Sequence, residues 1–211
     1  MCAKLRVRWT ITPQIPPQPW ITCNGCGGPR AFRASGKARL NANGRSLDAW
    51  LIYKCIDCDK TWNRPIFERR NIRDIEPRIL AALQSNDPLW LQAEAFNLDA
   101  LRRKAQRIDE FRECDIAKDI LCETRDWTHL EIELKVPLPS SVRLDRLLAS
   151  ELELSRTQLR VLHEQGGLRI ASGHADSLRR RVKAGSLVVL DLTAEAGREQ
   201  LWRSRAAGIA C

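Results

Sequence analysis

Four cysteines are arranged as two closely spaced pairs. Two residues separate Cys23 from Cys26, and two separate Cys55 from Cys58. Thiolates at this spacing share one tight turn and can bind the same ion, so the two pairs together supply four sulfur ligands for a tetrahedral zinc site. All four ligands come from the protein and leave no open position for a reactive water. The spacing therefore predicts a structural zinc ion.

The sequence contains eight cysteines in all, and its first residues lack the apolar core of a signal peptide. No window reaches the about 18 consecutive apolar residues of a membrane span. We therefore expect a cytoplasmic protein without a membrane partner, whose reduced thiols favour metal binding over disulfides. Cys114 and Cys122 are spaced to share one helix face. We nevertheless expect all four remaining cysteines to be buried structural residues, namely Cys2, Cys114, Cys122 and Cys211.

The chain between the two pairs predicts a β-hairpin. Apolar and basic residues alternate from 31 to 41, Asn43-Gly44 is a typical hairpin turn, and residues 50–53 form the returning strand. The hairpin carries Cys55 back to the first pair and so brings the two turns together. This is the layout of a zinc ribbon, and it defines the module expected at residues 1–70.

Three basic side chains share the polar face of the first hairpin strand: Arg33, Lys37 and Arg39. Since a strand rises about 3.3 Å per residue, Lys37 and Arg39 stand roughly 7 Å apart and could follow a phosphate backbone. The hairpin region also contains the aromatic residues Trp50, Tyr53 and Trp62. They could either stack on bases or form the small core of the ribbon. We expect this strand face to be a secondary nucleic-acid surface.

Composition and charge favour a folded protein that attracts polyanions. Apolar residues make up 44% and charged residues 29%, which excludes the hydrophobic-poor class of disordered chains. The net charge of +9 is uneven, because residues 1–70 and 142–211 are basic whereas residues 71–141 are acidic. Nucleic acid is the expected partner of such basic modules. A solvated surface without a polyanion partner is the alternative.

The middle of the chain predicts mainly helices. Pro77 and Asp87-Pro88 are helix-start signals for helices over 77–84 and 88–95, and Asn97 caps a third helix that ends between 109 and 121. Strands are expected before the ribbon, at 5–11, and after the helices, at 129–136. The proline-rich segment that follows marks a boundary, so residues 71–139 are expected to form a mostly helical middle.

From Ser141 the pattern becomes helix, helix, hairpin. Leucines line a first helix, and Ser155 with Gln158 forms a capping box that opens a second. Gly166-Gly167 ends that helix, and strands are expected at 168–171 and 187–192. This module spans 140–193 and a tail follows at 194–211. The expected fold class is α+β, with a zinc-ribbon hairpin, a helical middle and a helix-helix-hairpin module.

The third module resembles the S4 RNA-binding domain, which is found in a ribosomal protein, tyrosyl-tRNA synthetases and pseudouridine synthases. The resemblance runs from about Arg143 to Leu192. It rests on Arg143-Leu144-Asp145-Arg146-Leu147-Leu148, Ser155-Arg156, Gln165-Gly166, Leu168-Arg169-Ile170 and Arg181-Val182-Lys183-Ala184-Gly185. The chain departs from the family at Ser172-Gly173, where Asn-Gly is usual, and in a longer insert from His174 to Arg180.

The S4 resemblance implies an RNA-binding face formed largely by the two helices. The candidates are Arg143, Arg146, Arg156, Arg160, Arg169, Arg181 and Lys183. An arginine fork donates two parallel hydrogen bonds to a phosphate, and the start of a helix adds amide donors. The segment Arg179-Arg180-Arg181 could extend this face. The alternative is that these are ordinary solvated side chains.

The chain also resembles a family of uncharacterised bacterial proteins, the domain of unknown function 1062. The resemblance is carried by Leu40-Asn41-Ala42-Asn43-Gly44, by residues 47–55 and by Thr61-Trp62-Asn63. It implies membership of a family without implying an activity.

The sequence contains no phosphate-binding glycine loop, dinucleotide-binding fingerprint, nucleophile elbow or HExxH zinc motif. We therefore expect no enzyme activity. The expected function is binding of structured RNA, related to rRNA or tRNA, by a zinc-stabilised protein of translation. The alternative is an adaptor whose ribbon docks on a protein of the ribosome or the transcription machinery.

Overall fold

The computed structural model describes residues 4–171, 177–195 and 197–208. Within them the chain forms two five-stranded sheets and six α-helices, so the expected α+β class is confirmed. Cys2, Cys211 and the hairpin tip with Ser172-Gly173 and His174 lie outside the described residues. None of the helices in the described part of the chain has the length and apolar character needed to cross a membrane.

The strands are β1 (Lys4–Pro13), β2 (Gln18–Cys23), β3 (Gly28–Asn43), β4 (Ser46–Cys55), β5 (Thr61–Asn71), β6 (Ile108–Asp109), β7 (Cys114–Glu123), β8 (His129–Lys135), β9 (Leu168–Ile170) and β10 (Leu187–Asp191). The helices are α1 (Pro77–Ser85), α2 (Pro88–Ala95), α3 (Leu98–Arg102), α4 (Leu144–Glu151), α5 (Arg156–Glu164) and α6 (Glu199–Ala207).

The chain divides into two compact units. One is discontinuous and consists of Met1–Gln14 with Arg112–Cys211, and the other is the segment Ile15–Phe111. They are called here the discontinuous unit and the inserted unit, and each contains one of the two sheets. The four modules expected from the sequence, with boundaries at 70, 139 and 193, stay a prediction.

β1 lies inside the sheet of the discontinuous unit, whose strand order is β7-β1-β8-β10-β9. It pairs antiparallel with β7 and parallel with β8, and the other neighbours are antiparallel. Because side chains alternate along a strand, Leu5, Val7 and Trp9 point to one face, where all three are fully buried. The strand predicted here is confirmed.

Helices α4, α5 and α6 contribute to the core on this apolar face. Leu148, Leu159 and Ala206 are fully buried in the same cluster as the apolar residues of β1. The indole N–H of Trp9 donates to the carbonyl oxygen of Ala206 at 2.7 Å, which attaches α6 to β1. Each large apolar side chain buried in this way contributes about 1.5–3 kcal/mol. One core therefore joins the first strand to helices from the last third of the chain.

The opposite face of this sheet carries charged side chains that neutralise one another. Lys4 pairs with Glu131 at 3.1 Å, and Arg6 and Arg8 pair with Glu133 at 3.3 and 3.1 Å. Partly exposed pairs of this kind contribute about 1 kcal/mol or less each. The basic residues of β1 are thus partnered by β8 and are not the cations available to a polyanion.

The inserted unit has an antiparallel sheet with the order β5-β4-β3-β2-β6. Gly44, with φ +60°, forms the turn from β3 into β4, so the expected hairpin is confirmed. Phe32 and Leu51 on one face of the sheet pack with Leu91 of α2 and Leu101 of α3. The other face holds Arg33, Lys37 and Arg39 of β3.

The outer strand β5 is irregular. Its register against β4 breaks between Leu47 and Ala49 and again between Ala49 and Trp50. Pro65, which lies opposite Trp50, has no amide hydrogen to donate to a neighbouring strand. This strand therefore offers an interrupted hydrogen-bonding edge.

Local capping chemistry begins the helices where the sequence predicts. α1 and α2 begin at Pro77 and Pro88, and the carboxylate of Asp87 accepts a hydrogen bond from the amide of Trp90 at 2.8 Å. Both halves of the capping box, Ser155 and Gln158, are formed at the start of α5. These starts depend on neighbouring residues alone.

The prediction of a long third helix is wrong. α3 ends at Arg102, and Cys114–Glu123 form strand β7, paired with β1. Ala117 and Leu121 are apolar residues at exposed positions of β7. They interrupt the alternation of apolar and polar residues by which a strand is recognised in a sequence. Cys114 is half-buried, whereas Cys122 is exposed, and the expected burial is therefore wrong for Cys122.

Helix α6 was not predicted, and it occupies part of the expected tail at 194–211. Trp202 and Ala206, four residues apart, are buried on its inner face. This spacing is the helical signal that the short segment contains. It is weak, because the rest of the helix is mostly polar.

Shortening a buried side chain of β1 should loosen the discontinuous unit alone. Leu5→Ala removes a fully buried group, which lowers the free energy of unfolding by about 2–5 kcal/mol. Hydrogen exchange followed by mass spectrometry should become faster in β10 and α4 and stay unchanged in β3 and β4. Thr10→Ala, on the half-exposed face of the same strand, is the control and should change little. Unchanged exchange in β10 would contradict the central position of β1.

Candidate metal centre and basic surfaces

The two cysteine pairs meet in the inserted unit. The four sulfur atoms of Cys23, Cys26, Cys55 and Cys58 all lie within 4.8 Å of one another. Cys23 Sγ is 3.4 Å from Cys58 Sγ, and Cys26 Sγ is 4.0 Å from Cys55 Sγ. A cluster of four thiols at these distances is compatible with one bound metal ion.

Each cysteine pair is held by the same kind of turn. The amide of Gly27 donates to the carbonyl of Cys23 at 2.8 Å, and the amide of Asp59 donates to the carbonyl of Cys55 at 3.1 Å. Gly27 and Asp59 both have left-handed backbone angles, with φ +71° and +56°. Glycine adopts this conformation without strain, and aspartate is one of the few other residues that tolerate it. The two turns are therefore alike although their sequences differ.

Gly25 leaves room for the sulfur of the opposite turn. A Cβ at this position would lie 3.1 Å from Cys58 Sγ and 2.8 Å from Cγ of Lys60. The lysine side chain can move away, but the sulfur is held by the cluster. Glycine is thus required at position 25 because the sulfur of Cys58 comes close to it, and not because of its backbone angles.

The thiols of the first cysteine pair, Cys23 and Cys26, differ in acidity. Burial disfavours the Cys23 thiolate, but hydrogen bonds from the Cys26 amide and the Cys58 thiol outweigh it and lower the pKa of Cys23 to about 7. A hydrogen bond with Cys58, together with burial, raises the pKa of Cys26 to about 12. A metal ion that binds all four sulfurs must therefore displace protons from the cluster.

Two ion pairs attach the second turn to β3. Arg30 Nε is 2.8 Å from Asp57, and Arg33 is 3.1 Å from Asp59. Both pairs are exposed, so each contributes about 1 kcal/mol or less. The second pair holds Arg33 beside Asp59, which partly neutralises its charge.

A basic pocket of about 590 Å³ lies in the discontinuous unit beside the first turn of α5. Its lining residues are Arg143, Asp145, Arg156, Thr157, Leu159, Arg160, Leu178 and Arg179. Four arginines therefore converge on one concave surface, with one carboxylate among them.

The arginines of this pocket differ in their partners. Asp145 accepts two hydrogen bonds from Arg143, at 3.0 and 2.8 Å, so the two groups form a fixed bidentate pair. Arg160 lies 3.7 Å from Glu164 on an exposed helix face. Within the described part of the chain, Arg156 and Arg179 form no ion pair. These two guanidinium groups are the ones open to an external anion.

The structure brings together only part of the predicted arginine set. Arg143, Arg156 and Arg160 line the pocket, whereas Arg146 is exposed on α4 outside it. Arg181 forms a backbone bridge with Arg143, and Lys183 is exposed in the segment before β10; neither lines the pocket. Arg179, expected only as an extension, is a full member.

Arg169 lies on the other face of the sheet. The preceding residue, Leu168, is buried on the apolar face, so Arg169 points to the opposite side. Arg169 lies opposite Val189 of β10, and Val189 in turn lies opposite Glu131 of the charged face of β8. Helices α4 and α5 contribute to the core on the apolar face. Arg169 and the helix arginines therefore do not form one continuous surface.

A second basic concavity, of about 700 Å³, lies on the face of the inserted unit's sheet opposite to α2 and α3. We call it the strand groove. Its lining residues are Arg33, Ala34, Ser35, Lys37, Arg39, Ile52, Lys54, Thr61 and Asn63. The three basic residues predicted to share this face are thus brought together, and Lys54 joins them.

The aromatic residues of the hairpin separate into two groups. Tyr53 is fully buried and its ring centroid lies 5.3 Å from that of Trp62, which also contacts Phe32. These rings belong to the core of the inserted unit. Trp50 is half-exposed, points to the opposite face of β4 and lies beside Arg39 in the register.

A buried ion pair was not predicted from the sequence. Arg64 is 1% exposed, and its guanidinium lies 2.7 Å from Glu94 of α2. Burying a charge without a partner is expensive, so this contact requires α2 to stay against β5. The sequence gives no signal for such a pair, because Arg64 and Glu94 are 30 residues apart and neither belongs to a recognisable motif.

A family described as a protein of unknown function (DUF1062) matches residues 40–174, which include the second cysteine pair and helices α4 and α5. Among curated proteins and solved structures, none matches the chain.

Tyr53 should ionise only at high pH. Burial, partly opposed by Arg64, raises its pKa to about 12, against about 10 for an unfolded chain. The unfolded state therefore loses this proton first, and stability should fall as the pH rises from about 10 to about 12. The chain has one tyrosine, so the ultraviolet absorbance of tyrosinate reports on this residue alone. A native midpoint near 10, equal to that in urea, would contradict the burial of Tyr53.

Proposed function

The chain belongs to the family of proteins of unknown function DUF1062, and we propose that it is a zinc-stabilised protein that binds structured RNA without catalysing a reaction. The observation that carries this proposal is the convergence of four arginines on one pocket at the start of α5. Structured RNA here means RNA of the rRNA or tRNA type, in which folded helices present closely spaced phosphates.

Zinc suits the geometry of the thiol cluster. Zn–S bonds of about 2.3 Å place the sulfurs of a tetrahedral site about 3.8 Å apart. The two sulfur distances of 3.4 and 4.0 Å lie on either side of that value. Cys23, Cys26, Cys55 and Cys58 would hold the ion, and four thiolates leave it no position for a substrate.

Such an ion would act on the fold of the inserted unit. It would connect the end of β2 with the end of β4, and so hold together the two turns of one sheet. Structural zinc contributes directly to folding free energy in small modules. Its role would be to fix the hairpin that carries the basic residues of β3.

The pocket of the discontinuous unit has the chemistry of a phosphate site. Arg156 and Arg179 are open to an anion, and Arg143 is held in place by Asp145. Arg156 and Thr157 belong to the first turn of α5, where the helix dipole and free amides favour negative charge. Planar guanidinium groups bind phosphate in a bidentate manner. The sequence resemblance of residues 143–192 to the S4 RNA-binding domain supports RNA as the source of that phosphate.

An adaptor role is the second candidate, because Ile56 at the tip of the second cysteine turn is 49% exposed. An apolar tip beside a zinc site could dock on a protein of the translation or transcription machinery. The RNA function requires the arginine pocket, whereas the adaptor role requires the surface around Ile56.

Zinc content and one glycine test the metal site. The protein purified under reducing conditions should contain about one zinc ion per chain, as one four-cysteine site requires. Gly25→Ala should weaken zinc binding about tenfold, measured by competition with a chromophoric chelator, because its Cβ would press on Cys58. Gly28→Ala is the control, since its nearest atom would be 3.9 Å away. Absence of zinc, or equal affinity of the two variants, would contradict the site.

A pair of arginines tests the RNA pocket. Arg156→Ala with Arg179→Ala should weaken binding of an RNA hairpin at least about tenfold and reduce the slope of log affinity against log salt by about 1.5, as two lost phosphate contacts require. The control is Arg112→Ala with Arg125→Ala, two exposed arginines of the same unit outside the pocket. Equal loss in both pairs would mean unspecific charge attraction. Unchanged binding in the pocket variant, with a nuclease-resistant protein partner instead, would favour the adaptor.

A further inference from the structure

The strand groove is a second surface whose charge and shape call for a ligand. It lies in the inserted unit and is separate from the arginine pocket. Its lining contains four cations and no carboxylate: Arg33, Lys37, Arg39 and Lys54. Helices α2 and α3 pack on the other face of the sheet. An extended polyanion is the complementary ligand for such a surface.

Three of the four cations are available. Arg33 is paired with Asp59, but Lys37, Arg39 and Lys54 are exposed and form no ion pair with any residue that the structure describes. Like charges placed together on a sheet repel one another and destabilise it. A bound anion would remove that repulsion, so the arrangement favours binding over a purely structural role.

A bulge in β3 positions Lys37. The register with β4 shifts between Ala34 and Ala38, and Gly36 at its centre has φ +70°. The amide of Ala38 donates to the side-chain oxygen of Asn86 at 2.7 Å and holds the end of the bulge. The extra residues place Lys37 on the groove, between Arg33 and Arg39 along the strand.

The sheet face that carries the groove offers two apolar side chains to bases, Ile52 in the groove lining and Trp50 next to it on β4. On β4, Trp50, Ile52 and Lys54 alternate onto this face, and Trp50 lies opposite Arg39. Lys54 and Trp50 are four residues apart, which corresponds to about 13 Å along the strand. The face therefore presents cations at both ends and apolar side chains between them. Thr61 and Asn63, opposite Lys54 and Ile52, add hydrogen-bonding groups.

We propose that the strand groove binds single-stranded nucleic acid, with phosphates on Lys37, Arg39 and Lys54 and bases on Trp50 and Ile52. The ligand is a single strand because a duplex hides its bases and would use only the cations. Stacking of a base on an aromatic side chain contributes about 1–3 kcal/mol. This inference deepens the proposed RNA function by adding a second ligand class, and it rests on separate residues.

The test uses the full chain and three probes, namely an unstructured RNA strand, the same strand without bases, and an RNA hairpin. Lys37→Ala with Lys54→Ala should weaken binding of the unstructured strand at least about tenfold while leaving hairpin binding unchanged. Arg70→Ala with Arg73→Ala, two exposed cations of the same unit outside the groove, is the matched control and should bind as the parent does. The strand without bases should bind the parent about tenfold more weakly than the complete strand.

The outcomes separate this proposal from the pocket. If the groove variant binds the unstructured strand as tightly as its control does, the groove proposal is overturned, and the hairpin results still decide the pocket. Equal affinity of the parent for strands with and without bases would overturn the contacts to Trp50 and Ile52. Loss of hairpin binding in the Arg156 and Arg179 variant, with the unstructured strand still bound, supports two independent sites.

Discussion

Hydrogen bonding of β1 on both of its edges is the constraint that orders the discontinuous unit. A strand inside a sheet needs a partner on each side, and β1 finds both of them far along the chain, in β7 and β8. Pro13 pairs with Cys114, and the amide of Gln14 donates to the carbonyl of Glu113 at 3.0 Å. The chain therefore leaves this sheet and returns to it at adjacent positions. The whole segment Ile15–Phe111 is an insertion between two neighbouring strand ends.

Within the inserted unit, the cysteine cluster and the strand groove share their framework. Lys54 directly precedes Cys55, and Asp59, which pairs with Arg33, directly follows Cys58. The amide of Cys55 also donates to the carbonyl of Lys60, next to Thr61 of the groove. Side chains of the groove thus stand on the same backbone as the sulfur ligands. A metal ion bound there would keep these residues in register without itself lining the groove.

The features that the sequence predicts well are those decided by close neighbours. The two cysteine turns, the Asn43-Gly44 hairpin and the Ser155 capping box each depend on a few adjacent residues. The extent of β7 and the existence of α6 depend instead on β1, over a hundred residues away, which packs on both. Asp145 was visible in the sequence, but its role in fixing Arg143 requires the geometry of the pocket. The division of the arginines between two faces of one sheet likewise follows from strand pairing, which no local pattern encodes.

The irregular strand β5 also bears on how separate copies of the chain behave at high concentration. An exposed outer strand is a template to which a strand of another molecule can add, and this is a common origin of aggregates. The two register breaks opposite β4 and the missing amide hydrogen of Pro65 deprive β5 of the continuous row of donors and acceptors that such addition needs. In the other sheet, the outer strand β7 turns the charged Lys118 towards Trp9 and Glu151. Both long outer strands therefore resist edge-to-edge polymerisation, by a broken backbone in one case and an inward charge in the other.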